Sequence, residues 1–358
     1  MGIREIVSAG ALTMTLSVTG MSFADWQPYP ADLFKPDLSG DKLSELWPAL
    51  TRSTQDVLPT VDYFQQRMAA NKLYGDYLLK QLKASADFSG AALDQAGLEA
   101  LSLALQEGWR LHFEGDFVQA KDRGLAAGTS EGKYLAYRAQ TIYAMYQAPD
   151  PAGNLQAAER VVLLKEVSDK LLEEISAMTK SGVEPSVQLS FWQTYAYARY
   201  VEIVKPTWGI LDKKSGVTTI LTSLDKVFSL SPTMPALHAV YGGTFAAIYE
   251  DGMAARATFK KRLRLADGQK ISDYEQATLD QFDSALRTLR DKPFPQLYFS
   301  YGAALERLDK KRGDNKYKDS ASSYFHYAQG GSLPAGVSNM IYSAEDALAQ
   351  RHAGSKKL

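Results

Sequence analysis

The stretch Glu114-Gly115-Asp116-Phe117-Val118-Gln119-Ala120 decides how this chain is read. Upstream of it, Leu101, Leu105, Trp109 and Leu111 recur at helical spacing, with Gly108 as a small residue among them. Gly115 then marks a tight turn, and Phe117, Ala120 and Ala127 begin a second helix. Residues 101–134 therefore spell two helices folded back on each other, with small residues where they cross.

The same period continues on both sides. Helical faces run from Val61 to Leu82, from Ala100 to Phe113 and through Tyr134, Tyr137, Ile142, Tyr143 and Tyr146. Val161 to Met178, Val187 to Val204, Val217 to Leu230, Ala236 to Tyr249, Tyr274 to Leu289 and Val337 to Ala349 follow. Between them stand breaks such as 148–153, Ser181-Gly182-Val183-Glu184-Pro185, Ser231-Pro232 and Ser332-Leu333-Pro334. Strand signals are almost missing, so the fold class is all-α.

A two-helix unit of about 34 residues is the length of a tetratricopeptide repeat. Residues 201–232 place Leu211, Ile220, Leu224, Val227 and Pro232 in the same frame as 101–134. Gly243, Ala255 and Phe259 fit one more unit, and Ala321, Phe325 and Ala328 another. The anchors at 120, 220, 255 and 321 are separated by 100, 35 and 66 residues, near three, one and two repeat lengths. The expected architecture is an α-solenoid or helical bundle of degenerate tetratricopeptide-like pairs over residues 91–352. Residues 25–90 fit no unit and are expected to form a helical cap at its end or along its inner face. Residues 353–358 form a short basic tail. A helical bundle without repeats is the other reading of the same period.

The N-terminus is organised for export. Arg4 is followed by an apolar and small-residue stretch from Ile6 to Met21, and Ser22-Phe23-Ala24 gives a small-x-small cleavage site, leaving Asp25 first. The stretch is too short and too interrupted by Ser, Thr and Gly for a membrane anchor, and no later segment is a transmembrane candidate. With no cysteine there is no acylation site for a lipoprotein and no disulfide, so stability has to come from packed apolar surface. The expected location is the periplasm. A net charge of −1 with interspersed signs excludes the basic stripe of a nucleic-acid binder.

A search for reaction chemistry returns little. His112, His238, His326 and His352 have no metal-ligand spacing, and no nucleophile elbow, phosphate loop or dinucleotide fingerprint is present. The expectation is a non-enzyme with no catalytic residue, metal or cofactor. Gly242-Gly243 inside a helical pattern costs helix stability and lets a neighbouring helix, or a ligand, come close.

Aromatic clustering is the more suggestive signal. Tyr134, Tyr137, Tyr143 and Tyr146 form one group, and Phe191, Trp192, Tyr195, Tyr197 and Tyr200 form another, followed by Trp208. Trp192, Tyr195 and Arg199 share a helix face. Buried tyrosine hydroxyls need partners, so such stripes serve either as core with satisfied hydroxyls or as walls of a ligand cavity. The candidate ligand-binding residues are Tyr134, Tyr137, Trp192, Tyr195, Trp208, His238, Tyr241 and Phe245.

The segment Ala236-Leu237-His238-Ala239-Val240-Tyr241-Gly242-Gly243-Thr244-Phe245-Ala246-Ala247, with Gly252 to Gly268 after it, resembles the T component of TRAP (tripartite ATP-independent periplasmic) transporters. The motif is a His-x-x-x-Gly helix, met by His238 and Gly242, then a Gly-containing turn and an Ala-x-x-x-Phe-x-x-x-Leu helix. It covers about a tenth of the chain. The resemblance implies a periplasmic helical-repeat protein with a central cavity, working beside a substrate-binding protein or envelope transporter. The expected function is carriage of a hydrophobic or aromatic small molecule or a lipid as an accessory to transport. The alternative is a protein-interaction scaffold of the envelope with no small-molecule ligand.

Overall fold

The computed structural model describes residues 26–85, 87–88, 92–147, 154–204, 210–259 and 273–355. The export segment, Trp208, residues 260–268 of the transporter-like motif and residues 356–358 of the tail lie outside them. Among the described residues there are fifteen α-helices and no strand. They are α1 (Lys42–Leu50), α2 (Val61–Ala70), α3 (Lys72–Ala84), α4 (Gln95–Phe113), α5 (Phe117–Ala127), α6 (Ser130–Ile142), α7 (Asn154–Lys180) and α8 (Val187–Val204). They continue with α9 (Ile210–Leu230), α10 (Pro235–Asp251), α11 (Met253–Phe259), α12 (Tyr274–Leu289), α13 (Pro295–Arg312), α14 (Lys318–Ala328) and α15 (Ala344–Gly354). Helix α6 runs on into a π-helical turn, Tyr143–Gln147. No helix among the described residues is long and apolar enough to cross a membrane.

Short polar side chains start these helices by accepting from otherwise unpaired backbone N–H groups. Asp116 caps α5 through Gln119, and Thr129 caps α6 through Gly132. Ser343 and Asp346 form a reciprocal capping box on α15. Gly128, at φ +67°, ends α5 in a left-handed conformation that a residue with a Cβ adopts reluctantly.

From α4 to α9 each helix packs on the one before it, and α4 and α8 both touch α6. Further on, α10 packs against α12 and α13, and α13 against α14 and α15. The opening stretch of sequence is the hinge of the α4–α5 pair, and glycines set its approach to α6. A Cβ on Gly124 would lie 2.4 Å from the Gly132 carbonyl oxygen, and one on Gly108 would lie 2.5 Å from Leu135 Cδ2. Larger residues would push these helices apart. The four anchors, Ala120, Ile220, Ala255 and Ala321, fall in α5, α9, α11 and α14.

Residues 26–60 do not sit at one end. They run as a strap across the faces of α4, α6, α8, α10 and α15. Trp26 stacks on Tyr143 with ring centroids 4.1 Å apart. Trp47 meets Trp109 and Phe113 edge-on at 5.5 and 5.8 Å. Gln188 of α8 donates to the carbonyls of Thr54 and Gln55, and the Ala236 N–H at the start of α10 donates to the Ser53 carbonyl at 2.9 Å. Trp26, Leu38, Leu43, Trp47 and Leu50 belong to the same apolar core as residues of α4–α10 and α15.

Helices α4, α7 and α9 begin earlier than expected, at Gln95, Asn154 and Ile210, α13 was not expected, and two further runs change in kind. The run from Val61 to Leu82 is two helices, because Asn71 turns extended (φ −142°, ψ 106°) and its side chain caps α3 at Leu73. The helix expected over 337–349 begins only at Ala344. Residues ahead of it are non-helical, and the capping box at Ser343 fixes the start.

Candidate functional site

Helices α8, α9, α10 and α13 enclose a cleft of about 600 Å³. Its walls are made of small and branched residues, among them Ala198, Val201, Ile220, Gly243, Ala247, Ile248 and Ala303, with Phe299 alongside. At its inner end it narrows to a pocket of about 70 Å³ walled by Ile142, Tyr146, Phe191, Trp192, Tyr195 and Phe294. Tyr195, Arg199, Ala239, Val240, Gln296 and Ser300 line both, so the two cavities adjoin across a shared wall and are taken together as the passage.

The two neighbouring glycines of α10 separate the meanings that sequence could not. A Cβ on Gly242 would meet the Phe282 ring at 2.6 Å, so this glycine exists to let α12 approach. A Cβ on Gly243 would meet nothing within 4 Å, and Gly243 lines the cleft. One is a packing glycine and the other leaves open space.

The passage also carries polar side chains, among them the charged Arg199, Glu202, Glu250, Asp251 and Arg307 of its wide part. Tyr146 gives its hydroxyl hydrogen to Gln296 Oε1, and Gln296 in turn donates to Ser300. Arg199 lies over the Tyr195 ring at 4.9 Å and donates to Glu202 at 2.8 Å. Arg307 donates to the same carboxylate at 2.8 Å. Burial would raise the Glu202 pKa, but the two guanidinium groups overcome it and hold the carboxyl at about 2. The Trp192 indole N–H is buried and has no hydrogen-bond partner among the described residues. An unpaired buried donor of this kind costs about 1–3 kcal/mol.

Below the inner pocket sits a charge network with little water access. Arg138, fully buried, donates to Asp56 Oδ2 at 2.7 Å and to Glu345 Oε2 at 3.0 Å. Tyr134 and Thr54 also donate to Asp56. His112 Nε2 lies 3.3 Å from the same Glu345 oxygen. Burial lowers the His112 pKa, and Glu345 offsets only part of that. Burial alone would raise Glu345, but Arg138 and His112 bring it to about 2. One arginine therefore serves two carboxylates, which is chemistry for holding helices and strap together.

The candidate residues divide among these places. Trp192 and Tyr195 come together in the passage. Tyr134 belongs to the Arg138 network, and Tyr137 is buried in the core. His238 is held at both nitrogens, 2.7 Å from Gln281 Oε1 and 2.8 Å from the Pro232 carbonyl. Tyr241 gives its hydroxyl hydrogen to Asp225, and Phe245 packs beside it in the core. Sequence reading missed the α13 wall, Gln296, Phe299, Ser300, Ala303 and Arg307. Nothing but the helical period of that stretch marked it. No group of His, Asp or Glu suited to a metal occurs among the described residues.

No family model, no curated protein and no solved structure matches this chain.

Proposed function

We propose that the chain is a periplasmic binding protein built of tetratricopeptide-like helix pairs, which holds the apolar part of a small molecule or lipid as an accessory to its transport. The reading rests on the passage between α8, α10 and α13. Its wide part combines aliphatic side chains with the charged Arg199, Glu202, Glu250, Asp251 and Arg307, and its narrow end is partly aromatic, a make-up that suits a ligand with an apolar body and a polar end. Gly243 carries the argument further than any other residue. A glycine inside a helix costs about 1 kcal/mol relative to alanine, and here no neighbouring helix requires it. The export-type N-terminus and the resemblance of 236–268 to the T component of TRAP transporters support the location and the transport role.

The strap also bears on the alternative. Residues 26–60 already contact α4, α6, α8 and α10, so a docked partner would have to use other parts of those helices. The test is native mass spectrometry of protein recovered from the periplasm, beside the variant Gly243→Phe. A small molecule retained by the parent chain and lost from the variant supports the proposal. A parent chain that carries only a protein partner, with Gly243→Phe carrying it equally, overturns it.

A further inference from the structure

The polar groups of the passage are sorted along its length. Arg199, Gln296 and Ser300 stand on the wall shared by its two parts, while Glu202, Glu250, Asp251 and Arg307 line the wide part alone. Asp251 ends α10, about 16 Å along the helix from Val240 of the shared wall. The other acidic groups have cations of their own. Glu202 takes Arg199 at Oε2 and Arg307 at Oε1, and Glu250 takes Lys310 at 2.6 Å. At the narrow end Asp346 is paired with Arg52, and Glu345 with Arg138.

Donors are left over at the shared wall. Arg199 uses only Nη1, on Glu202. Its Nε and Nη2 make no hydrogen bond among the described residues, and neither is sealed from solvent. The side chain is 25% exposed, lines both cavities, and is held by the Tyr195 ring 4.9 Å from its guanidinium carbon. Ser300 accepts from Gln296 at 3.0 Å and gives its own hydroxyl hydrogen to no group among the described residues. The acceptor beside it, Gln296 Oε1, is taken by Tyr146. Two arginines on the one Glu202 carboxylate also leave net positive charge at this level. The shared wall thus offers a planar cationic fork and a hydroxyl donor, and the fork matches a carboxylate, two N–H groups to two oxygens.

We propose that the ligand of the passage is an acid, a single-chain molecule whose carboxylate meets Arg199 Nε and Nη2 and the Ser300 hydroxyl, and whose apolar body lies along Val201, Gly243, Ala247 and Ile248 of the wide part. This rests on the passage being a ligand site, and it adds the charge and the orientation of what is held there.

The test is isothermal titration of the full chain with octanoate, 1-octanol and octyltrimethylammonium, which share one apolar chain and differ in the charge of the head. Octanoate should bind saturably and about tenfold more tightly than octanol, the worth of one charge-assisted hydrogen bond, and the cation more weakly than either. Arg199→Met should lower octanoate affinity about tenfold and leave octanol binding unchanged, with circular dichroism confirming the fold. Glu202 keeps Arg307 in that variant. Ser300→Ala, a smaller change, should weaken octanoate and not octanol, and it decides the matter if Arg199→Met does not fold. Gly243→Phe should abolish binding of both. Equal affinity for octanoate and octanol, both lost in Gly243→Phe, would leave the apolar site standing and overturn the acid. Full octanoate affinity in folded Arg199→Met would overturn it as well. Binding of none of the three would overturn both the acid and the site.

Discussion

Arg52 and Asp346 lie 294 residues apart and share two hydrogen bonds, 2.8 Å from Nη2 to Oδ1 and 3.2 Å from Nη1 to Oδ2. The pair ties the strap to the last helix. Arg52 also donates to the backbone carbonyls of Ala49 and Met340, at 2.6 and 2.7 Å. Asp346 meanwhile accepts from the backbone N–H of Tyr342 and Ser343, so one carboxylate both starts α15 and anchors the strap.

Arg52→Met should therefore destabilise the protein by about 3–5 kcal/mol, because it leaves a buried carboxylate without its cation. Urea unfolding followed by circular dichroism measures this. Adding Asp346→Asn to Arg52→Met should recover part of the loss. A double variant whose cost equals the sum of the singles would show that the two residues act separately.

Acid should weaken the fold through His112 and Glu345. Burial holds His112 below its ordinary 6.5, so the unfolded chain binds that proton more readily. Its contribution is complete above pH 6.5 and is lost as pH falls through the lower folded value. Glu345 titrates at about 2 against 4.5 when unperturbed, so its contribution is complete above pH 4.5 and fades as pH falls toward 2. Stability should decline from pH 6.5 downward, and Glu345→Gln should shallow the decline below pH 4.5. Melting temperatures across the range report both.

The glycine pair offers an internal control. Gly243→Ala should raise stability by about 0.5–1 kcal/mol, since it improves helix propensity and its methyl group meets no atom. Gly242→Ala should lower it by about 1–3 kcal/mol by displacing the Phe282 ring. Thermal unfolding of the two single variants gives the signs directly. Equal signs would mean that α12 does not pack against α10 as closely as described.

Trp47→Ala should cost about 3–5 kcal/mol, although it lies outside the helix pairs. Its ring fills the angle between Trp109 and Phe113, and its indole N–H donates to the Asp56 carbonyl at 2.7 Å. Parent and variant should each unfold in one transition, because the strap shares the main core. A separate early transition for the strap, seen by tryptophan fluorescence ahead of circular dichroism, would contradict that.

The helices were legible in sequence because burial on one face leaves a 3.6-residue period, and Val187–Val204 and Tyr274–Leu289 were placed with their observed ends. The break at Asn71 was missed because a cap is a local hydrogen bond inside an otherwise unbroken apolar pattern. The site was legible only in part. Trp192 and Tyr195 announced themselves by aromatic clustering, but clustering is the same whether a ring faces a cavity or another ring. His238 and Tyr241 were drawn in by the transporter-like stretch instead, and their partners proved to be Gln281 and Asp225. Gly242 and Gly243 look identical in sequence, since what distinguishes them is Phe282, forty residues further along the chain. Residues 25–90 were legible only as a stretch outside the repeats that caps the array or lies along its face, and the strap's path was not. Its contacts depend on side chains such as Arg52 meeting groups that no local period can name.

The path of the strap sets a timetable for folding. Synthesis delivers the chain from its N-terminus, yet residues 26–60 find their complete seat only when α15, ending at Gly354, has arrived. The helix pairs from α4 onward can form from near neighbours as they emerge, a fast and local process. Trp26 and Trp47 can seat on Tyr143, Trp109 and Phe113 early, but Arg52 waits for Asp346 until the last helix arrives. For that interval Arg52 is a cation without its carboxylate, and the strap is held along the early helices but not yet at the last one.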